Sequence, residues 1–593
     1  MSASFSEQIM SRTLRRSLFA LVPAALLLAS AWPALAAEPK TPRPVSALKV
    51  PARATDPAAK DATGETLPSG QVVFQVLLAE IALQRGDLEL SSKAWADLAV
   101  RTRDPRALER AVEIAGYTHH LDDALTLART WVEVEPSSLR AQQMLAGVLV
   151  VGNRFDELTP LLARMLAEDP AAITGNLLAL NRLLARSPDR VGALRLVERL
   201  TAPYDALAEA HYVRAMAAST ASAPELALTE ARRALAIRPD WDLAALLEAQ
   251  LLSRESNTAA VASLERFVAR NPDANDARLY LARAQIGEGR YADARQNFDR
   301  LLKVAPDNPE TVFPAAILAL QQDDANRADT LLRHLLTLDF PDKSVVRYYL
   351  GQIAEQRQQD AEALAFYQSV GVGEQYLPAR LRMARLLATG GKLDEALRQL
   401  REIKTRNAAE QVQIAEVEAQ FLRDANRAQE AFDVLSRVLA RQPENPELLY
   451  ETSLLAEKVG RLELVEKYLR KLIELKPDSA QAYNALGYSF ADRGIRLGEA
   501  RQLIERALVL APDDPFILDS LGWVLYQQGD LAGALSSLER AYGLRRDPEI
   551  AAHLGEVLWK LDRREDARRI WQEAQHSNPG NDALAAAVKR FLP

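Results

Sequence analysis

The stretch "GWVLYQQGDLAGALSSLERA", residues 522–541, opens with a glycine beside a tryptophan and ends in alanines seven apart, Ala534 and Ala541. Small residues at fixed places in a helical stretch mark positions where another backbone comes close, because only Gly or Ala leaves room for it. If that is their purpose, the same places should recur wherever the same packing recurs.

They do. The slot of Ala534 is filled by alanine at Ala124, Ala193, Ala227, Ala260, Ala294, Ala328, Ala363, Ala396, Ala431, Ala500 and Ala567, with Leu90, Leu158 and Val465 on the remaining beats. From Ala193 to Ala431 consecutive slots differ by 33 to 35 residues. Another small residue stands about twelve before the slot, as at Gly351, Gly487, Gly522 and Gly555, and a proline stands twelve after many of them, from Pro136 to Pro579. One period held over some five hundred residues is the signature of a repeat architecture. Each unit reads as two antiparallel helices, with large apolar residues such as Leu521, Leu525, Leu538, Leu554, Leu558 and Trp571 beside the small ones. The proline ends the second helix, since it lacks the N–H and clashes with the preceding turn.

Composition agrees. Of 593 residues, 48% are hydrophobic, only 6% aromatic and 26% charged, which suits a folded, helix-rich chain. No segment alternates with the period of two that strands need. Net charge is −7 with both signs dispersed, so the clustered positive charge of a nucleic-acid footprint is missing and no nucleic-acid partner is expected. The absence of cysteine removes disulfides, thiolate metal sites, cysteine nucleophiles and a lipidation cysteine.

Residues 1–36 have the form of an export signal: Arg12, Arg15 and Arg16, an apolar stretch from Leu18 to Ala31, and Ala34-Leu35-Ala36 as a small-residue cleavage site. Cleavage is expected after Ala36, by the general secretory route rather than the twin-arginine one; an uncleaved anchor is the competing reading. Removing residues 1–36 leaves 70 basic against 79 acidic residues, a net charge of −9, and no integral membrane span. Met10 offers a second start with a more compact signal. Residues 37–70 carry six prolines and no apolar periodicity, and read as a disordered or extended tether. The repeats then occupy 71–580, up to about fifteen units. Residues 581–593 read as a capping helix with Leu584, Val588 and Phe591 or Leu592 on one face.

No catalytic set emerges. The histidines His119, His120, His211, His334, His553 and His576 form no HExxH or other metal-ligand spacing and read as surface or turn residues. Neither a GxSxG elbow nor a GxxxxGK[ST] loop is present, and the acid pairs Asp122-Asp123 and Asp513-Asp514 fall at helix starts or turns, where they favour the helix dipole. The expectation is a protein that is not an enzyme, with no cofactor and no metal.

These slots resemble those of the tetratricopeptide-repeat (TPR) family, best from Tyr483 to Pro579 and least before Ala227. The resemblance implies an all-α fold, a right-handed superhelical solenoid of antiparallel helix pairs closed by a C-terminal capping helix. It also implies that residues three before and one after the Gly slot face a concave groove that binds proteins or peptides. Those positions are Tyr348 and Gln352, Asn484 and Tyr488, Asp519 and Trp523, Ala552 and Glu556, with Tyr526 and Trp559 one turn further on. They read either as binding hot spots or as core packing, with little between the two. A clamp for a free C-terminal carboxylate does not fit, because only Asn484 matches its Lys, Arg and Asn ring while Asp519 and Glu556 have the wrong sign.

The run from Tyr483 to Ala574 further resembles the large TPR adaptors of Gram-negative envelopes, the LbcA-like outer-membrane lipoproteins. That implies a scaffold that binds a periplasmic carboxyl-terminal processing protease and presents substrates such as peptidoglycan hydrolases to it. Without a lipidation cysteine, a periplasmic chain is expected, with at most peripheral association with the outer membrane. An assembly scaffold for envelope polysaccharide export is the other reading.

Overall fold

Trp571 has no solvent exposure, and its indole lies where a side chain on Gly555 would have to be. The same arrangement recurs down the chain. A methyl on Gly522 would sit 2.5 Å from Leu538 Cγ, one on Gly351 2.5 Å from the Tyr367 ring, and one on Gly487 2.6 Å from Ile504 Cγ1. Each of these large residues stands four after its alanine slot, on the same face of the second helix one turn on. Glycine on one helix therefore admits a bulky residue of its partner, and the hairpin closes around that contact.

The computed structural model describes residues 70–591. Among them thirty-one α-helices follow one another from Gly70–Gln84 to Asp582–Phe591, with no strand. Two compact units meet at Asp324 and Ala325. The first has helix hairpins from Gly70–Gln84 with Leu88–Thr102 to Asn275–Gly287 with Tyr291–Val304, then the helix Pro309–Gln321. The second begins with the helix Ala325–Thr337 and continues from Lys343–Gln356 with Asp360–Gln368 to Pro548–Lys560 with Arg564–Ser577, then the helix Asp582–Phe591. Within each unit a helix packs on its neighbours in sequence, which is the stacking of an all-α TPR array.

The alanine slots from Ala124 to Ala567 all fall on the fourth residue of a second helix and are buried. Leu90 is a correction: it is 41% exposed, and the slot belongs to Ser91, which is fully buried. A hydroxymethyl is small enough for the close approach and a leucine is not. Gly487 stands thirteen rather than twelve before Ala500, because the intervening turn holds an extra residue and carries Arg496 in the left-handed region at φ 44°. In the weakest unit, Ile173–Leu184 and Arg190–Thr201 both pack mainly on Ala208–Thr220 rather than on each other. Leu180 stands there where the tighter hairpins have Ala or Gly.

Helix ends follow local chemistry. Asp104, Asn308, Asn445, Asp514 and Asp547 each cap a first helix whose first residue is proline, and each side chain accepts a backbone N–H of the opening turn. Second helices stop two residues before Pro136, Pro170, Pro239, Pro272, Pro306, Pro477, Pro512 and Pro579. The export signal at 1–36 and residues 37–69 of the tether lie outside the described residues; Gly70, placed at the tether's end, opens the first helix. At the other end, Leu584 is 1% exposed and Phe591 stacks 5.8 Å from Trp571, so Asp582–Phe591 covers the last hairpin. Leu592 lies outside the described residues.

Candidate protein-binding groove

The last three hairpins hold most of the positions singled out for the groove. Ser479, Asp514 and Asp547 cap Ala480–Asp492, Pro515–Gln527 and Pro548–Lys560, which fixes where each first helix starts and so which side chains share a face. On the middle helix Asp519, Trp523 and Tyr526 fall at i, i+4 and i+7, one stripe.

The stripe forms one connected set with its neighbours. His553 Nδ1 donates to both carboxylate oxygens of Asp519, at 2.9 and 3.0 Å. Its ring stacks on Trp523 with centroids 4.2 Å apart, and Trp523 stacks on Tyr526 at 5.2 Å. The Tyr526 hydroxyl donates to Glu556 at 3.4 Å, and Arg590 of the closing helix pairs with the same carboxylate at 3.1 Å. Tyr488 approaches His553 from the preceding first helix, at 6.4 Å between ring centres.

Asp519, Trp523 and Glu556 are buried, and the Trp523 indole N–H has no hydrogen-bond partner among the described residues. Ala552 is buried too. Tyr488, Tyr526 and Trp559 are half-buried and present part of their rings to solvent. Trp559 lies 5.9 Å from Trp571 and 6.0 Å from Phe591, under the guanidinium groups of Arg564 and Arg568. Asn484 is half-buried, its side-chain oxygen without a hydrogen-bond partner among the described residues. Tyr348 and Gln352 stand apart on Lys343–Gln356, where Tyr348 packs against Tyr349 and Tyr367.

His553 and His211 correct the reading of all six histidines as surface or turn residues: both are largely buried and paired with carboxylates. A signal for His553 was present. It stands 34 residues after Asp519, one beyond Ala552, which holds the place of Asp519 in the next unit, and such places are neighbours in a stack. Burial disfavours the His553 cation, but the Asp519 charge and hydrogen bond outweigh it and raise the imidazole above its ordinary 6.5. The bound cation therefore stabilises the fold fully below about pH 6.5 and loses that contribution as pH rises through the higher folded value. We expect the thermal midpoint of residues 325–593 to fall from pH 6 to pH 8, and His553→Gln to flatten that slope. An unchanged slope in the variant would assign it to other groups.

A second feature was named by none of the sequence motifs. A cleft of about 630 Å³ opens across the first helices Tyr376–Thr389, Ala408–Asp424 and Pro446–Lys458, with Arg385, Glu416, Phe421, Arg423, Tyr450 and Glu451 in its lining. Among the described residues no three His, Asp or Glu side chains converge as a metal site, and no helix is long and apolar enough to cross a membrane.

Hairpins stacked in series, closed by small residues and lined on their first helices by aromatic and charged side chains, define a helical-repeat scaffold. The family model for the tetratricopeptide repeat matches residues 250–309, 313–370, 381–446, 450–515 and 520–582, just over half of the chain. The chain belongs to the tetratricopeptide-repeat family, and its repeats make it a protein–protein interaction scaffold. TPR repeat-containing protein PA4667 of Pseudomonas aeruginosa is 32% identical over 485 residues, 82% of this chain and 82% of that protein. Cellulose synthase operon protein C of Pseudomonas fluorescens is 23% identical over 468 residues; the match takes in 69% of this chain but only 34% of that longer protein. A tetratricopeptide-repeat protein of known structure from Parabacteroides merdae aligns over 48% of this chain and 99% of its own, at 16% identity and a TM-score of 0.32.

Proposed function

We propose that this chain is a non-enzymatic periplasmic adaptor. In this reading residues 1–36 are removed on export, residues 37–69 tether the array, and 581–593 cap it. The scaffold binds a carboxyl-terminal processing protease and presents protein substrates such as peptidoglycan hydrolases for proteolysis. The protease supplies the catalysis; this chain supplies position and local concentration.

The observation that carries the reading is the strip of half-exposed rings, Tyr488, Tyr526 and Trp559, held on a buried base of Asp519, Trp523, His553 and Glu556. Large aromatic rings fixed in place by a packed and hydrogen-bonded base lose little freedom on binding, which is how interface hot spots work. The resemblance of residues 483–574 to envelope adaptors supplies the particular partners.

The test is affinity purification of residues 37–593 from the envelope fraction of the source bacterium, with mass spectrometry of what co-elutes. The combined variant Tyr488→Ala, Tyr526→Ala and Trp559→Ala is run beside it. A processing protease recovered with cell-wall hydrolases, and reduced about tenfold or more in the variant at unchanged helicity, is the expected result. Equal recovery by the variant would place the partner elsewhere on the array. Similarity to cellulose synthase operon protein C favours a second reading, an assembly scaffold for envelope polysaccharide export. Recovery of export components without a protease would select it.

A further inference from the structure

The cleft across Tyr376–Thr389, Ala408–Asp424 and Pro446–Lys458 carries an imbalance of charge. Four carboxylates line it against two guanidinium groups. Of those two, Arg423 is engaged, with its Nη1 2.7 Å from Glu451. Glu416 is half-buried and has no ion pair or hydrogen bond from its carboxylate among the described residues. Burial first, then the charges of Glu451 and Glu447, push its carboxyl above the ordinary value. The pattern continues toward the C-terminus. Glu457, on the same first helix as Tyr450, is raised by burial and by Asp492 of the next unit, and burial together with the same acids raises Tyr488. Glu447 has its own cation in Lys476 at 3.1 Å, as Glu451 has in Arg423, so Glu416 is the acid left over; an unpaired, half-buried carboxylate beside two others is a local conflict of the kind found at binding surfaces rather than in structural cores. The ligand is not a metal ion, because the acids do not converge as a metal site.

We infer that this cleft binds an extended, basic segment of a partner protein, with one Lys or Arg side chain seated between Glu416 and Glu451 against the ring of Tyr450. The inference rests on the scaffold reading above and names the chemistry of the partner. Charge complementarity selects the cation, and the tyrosine ring adds a face on which it stacks. Spacing selects the backbone. Adjacent packed helices lie about 8–10 Å apart, and a polyproline II chain advances roughly 9 Å in its three-residue turn. A cation at every third position of such a segment therefore meets one first helix after another.

The probe is a fluorescein-labelled (Lys-Pro-Pro)4 peptide, titrated with residues 37–593 and followed by anisotropy, with (Glu-Pro-Pro)4 as its counterpart. Binding of the basic peptide alone is expected, weakened about fivefold to tenfold by Glu416→Gln. Glu463→Gln, on the exposed face of the second helix Leu462–Leu475, should leave it unchanged. The Glu416→Gln variant should also melt no lower than the parent, because it removes a charge that burial and like charges already oppose. Equal binding by Glu416→Gln, or equal loss in Glu463→Gln, would overturn the site in favour of diffuse attraction. Binding that appears only after residues 37–69 are deleted would show that this chain's own segment fills the cleft, and would overturn a partner as the occupant. Envelope proteins recovered alike by the parent and by Glu416→Gln would leave the scaffold reading intact and overturn this one. Peptide binding at the cleft with no envelope protein recovered would do the reverse.

Discussion

Trp571→Ala is expected to destabilise the last hairpin and the closing helix by about 3–5 kcal/mol, the range for truncating a large aromatic in a packed core. Trp571 is fully buried; its indole N–H donates to the Ala552 carbonyl at 3.4 Å, and its ring packs against both Trp559 and Phe591, at 5.9 and 5.8 Å between ring centres. No neighbour is free to refill the space, because the first helix already approaches as closely as Gly555 allows. In a stacked array the loss is local. Hydrogen exchange should therefore quicken over residues 548–591 while the hairpins before Ala480 keep their protection. Gly555→Ala makes the reciprocal test. In the parent its methyl meets the indole, and overpacking of about 1–3 kcal/mol outweighs the gain in helix propensity of about 1 kcal/mol. With Trp571 already replaced by alanine, the same substitution should be neutral or stabilising. A cost that persists without the indole would mean that Gly555 is needed for some other reason.

Glu230→Ala is expected to destabilise the first unit by a similar amount, about 3–5 kcal/mol, by leaving the buried guanidinium of Arg214 without the buried counter-charge beside it. Glu230 is 3% exposed. It accepts from His211 Nδ1 at 2.7 Å and from Arg233 at 2.6 Å, and Arg214 lies 3.7 Å away. Arg214 also donates to Asp205 and to Thr201 Oγ1, each at 2.6 Å, and His211 Nε2 to the Asp205 carbonyl at 3.0 Å. His211 and Arg214 are each placed by more than one partner, so the parts of this set stand or fall together. Urea unfolding of the first unit, with Glu230→Gln as the milder comparison, measures the effect. A loss below about 1 kcal/mol would mean that water entering beside Arg214 and Arg233 screens the network.

The period, the hairpin and the faces were legible without coordinates because one steric constraint is written many times. Every close approach of a first and a second helix demands a small residue opposite a large one, and Ala124 to Ala567 and Gly351 to Gly555 meet that demand in unit after unit. Where a single unit departs from the rule, its neighbours hold the register, which is how Leu90 could be set one residue from Ser91 without disturbing the rest. Capping acids and terminating prolines were readable for the same reason, since their chemistry is local to one turn.

The groove was legible only as positions. Sequence placed Tyr488, Trp523 and Tyr526 on first helices but left open whether each ring faced solvent or a neighbour; the structure buries Trp523 beneath His553 and leaves the two tyrosines half-exposed. It named no residue of the cleft, although Glu416 and Tyr450 stand three before the small residues Ala419 and Ser453 of their units, because the groove places were read only in units with glycine at that slot. Packing within a hairpin depends on the size of residues close in sequence, so the chain by itself determined an all-α TPR array. Which carboxylate meets a cation and which does not depends on how successive units turn against one another and on the rotamers that result. The Asp519–His553 pair, the buried Glu230 network and the unpaired Glu416 were decided only there, in the tertiary structure.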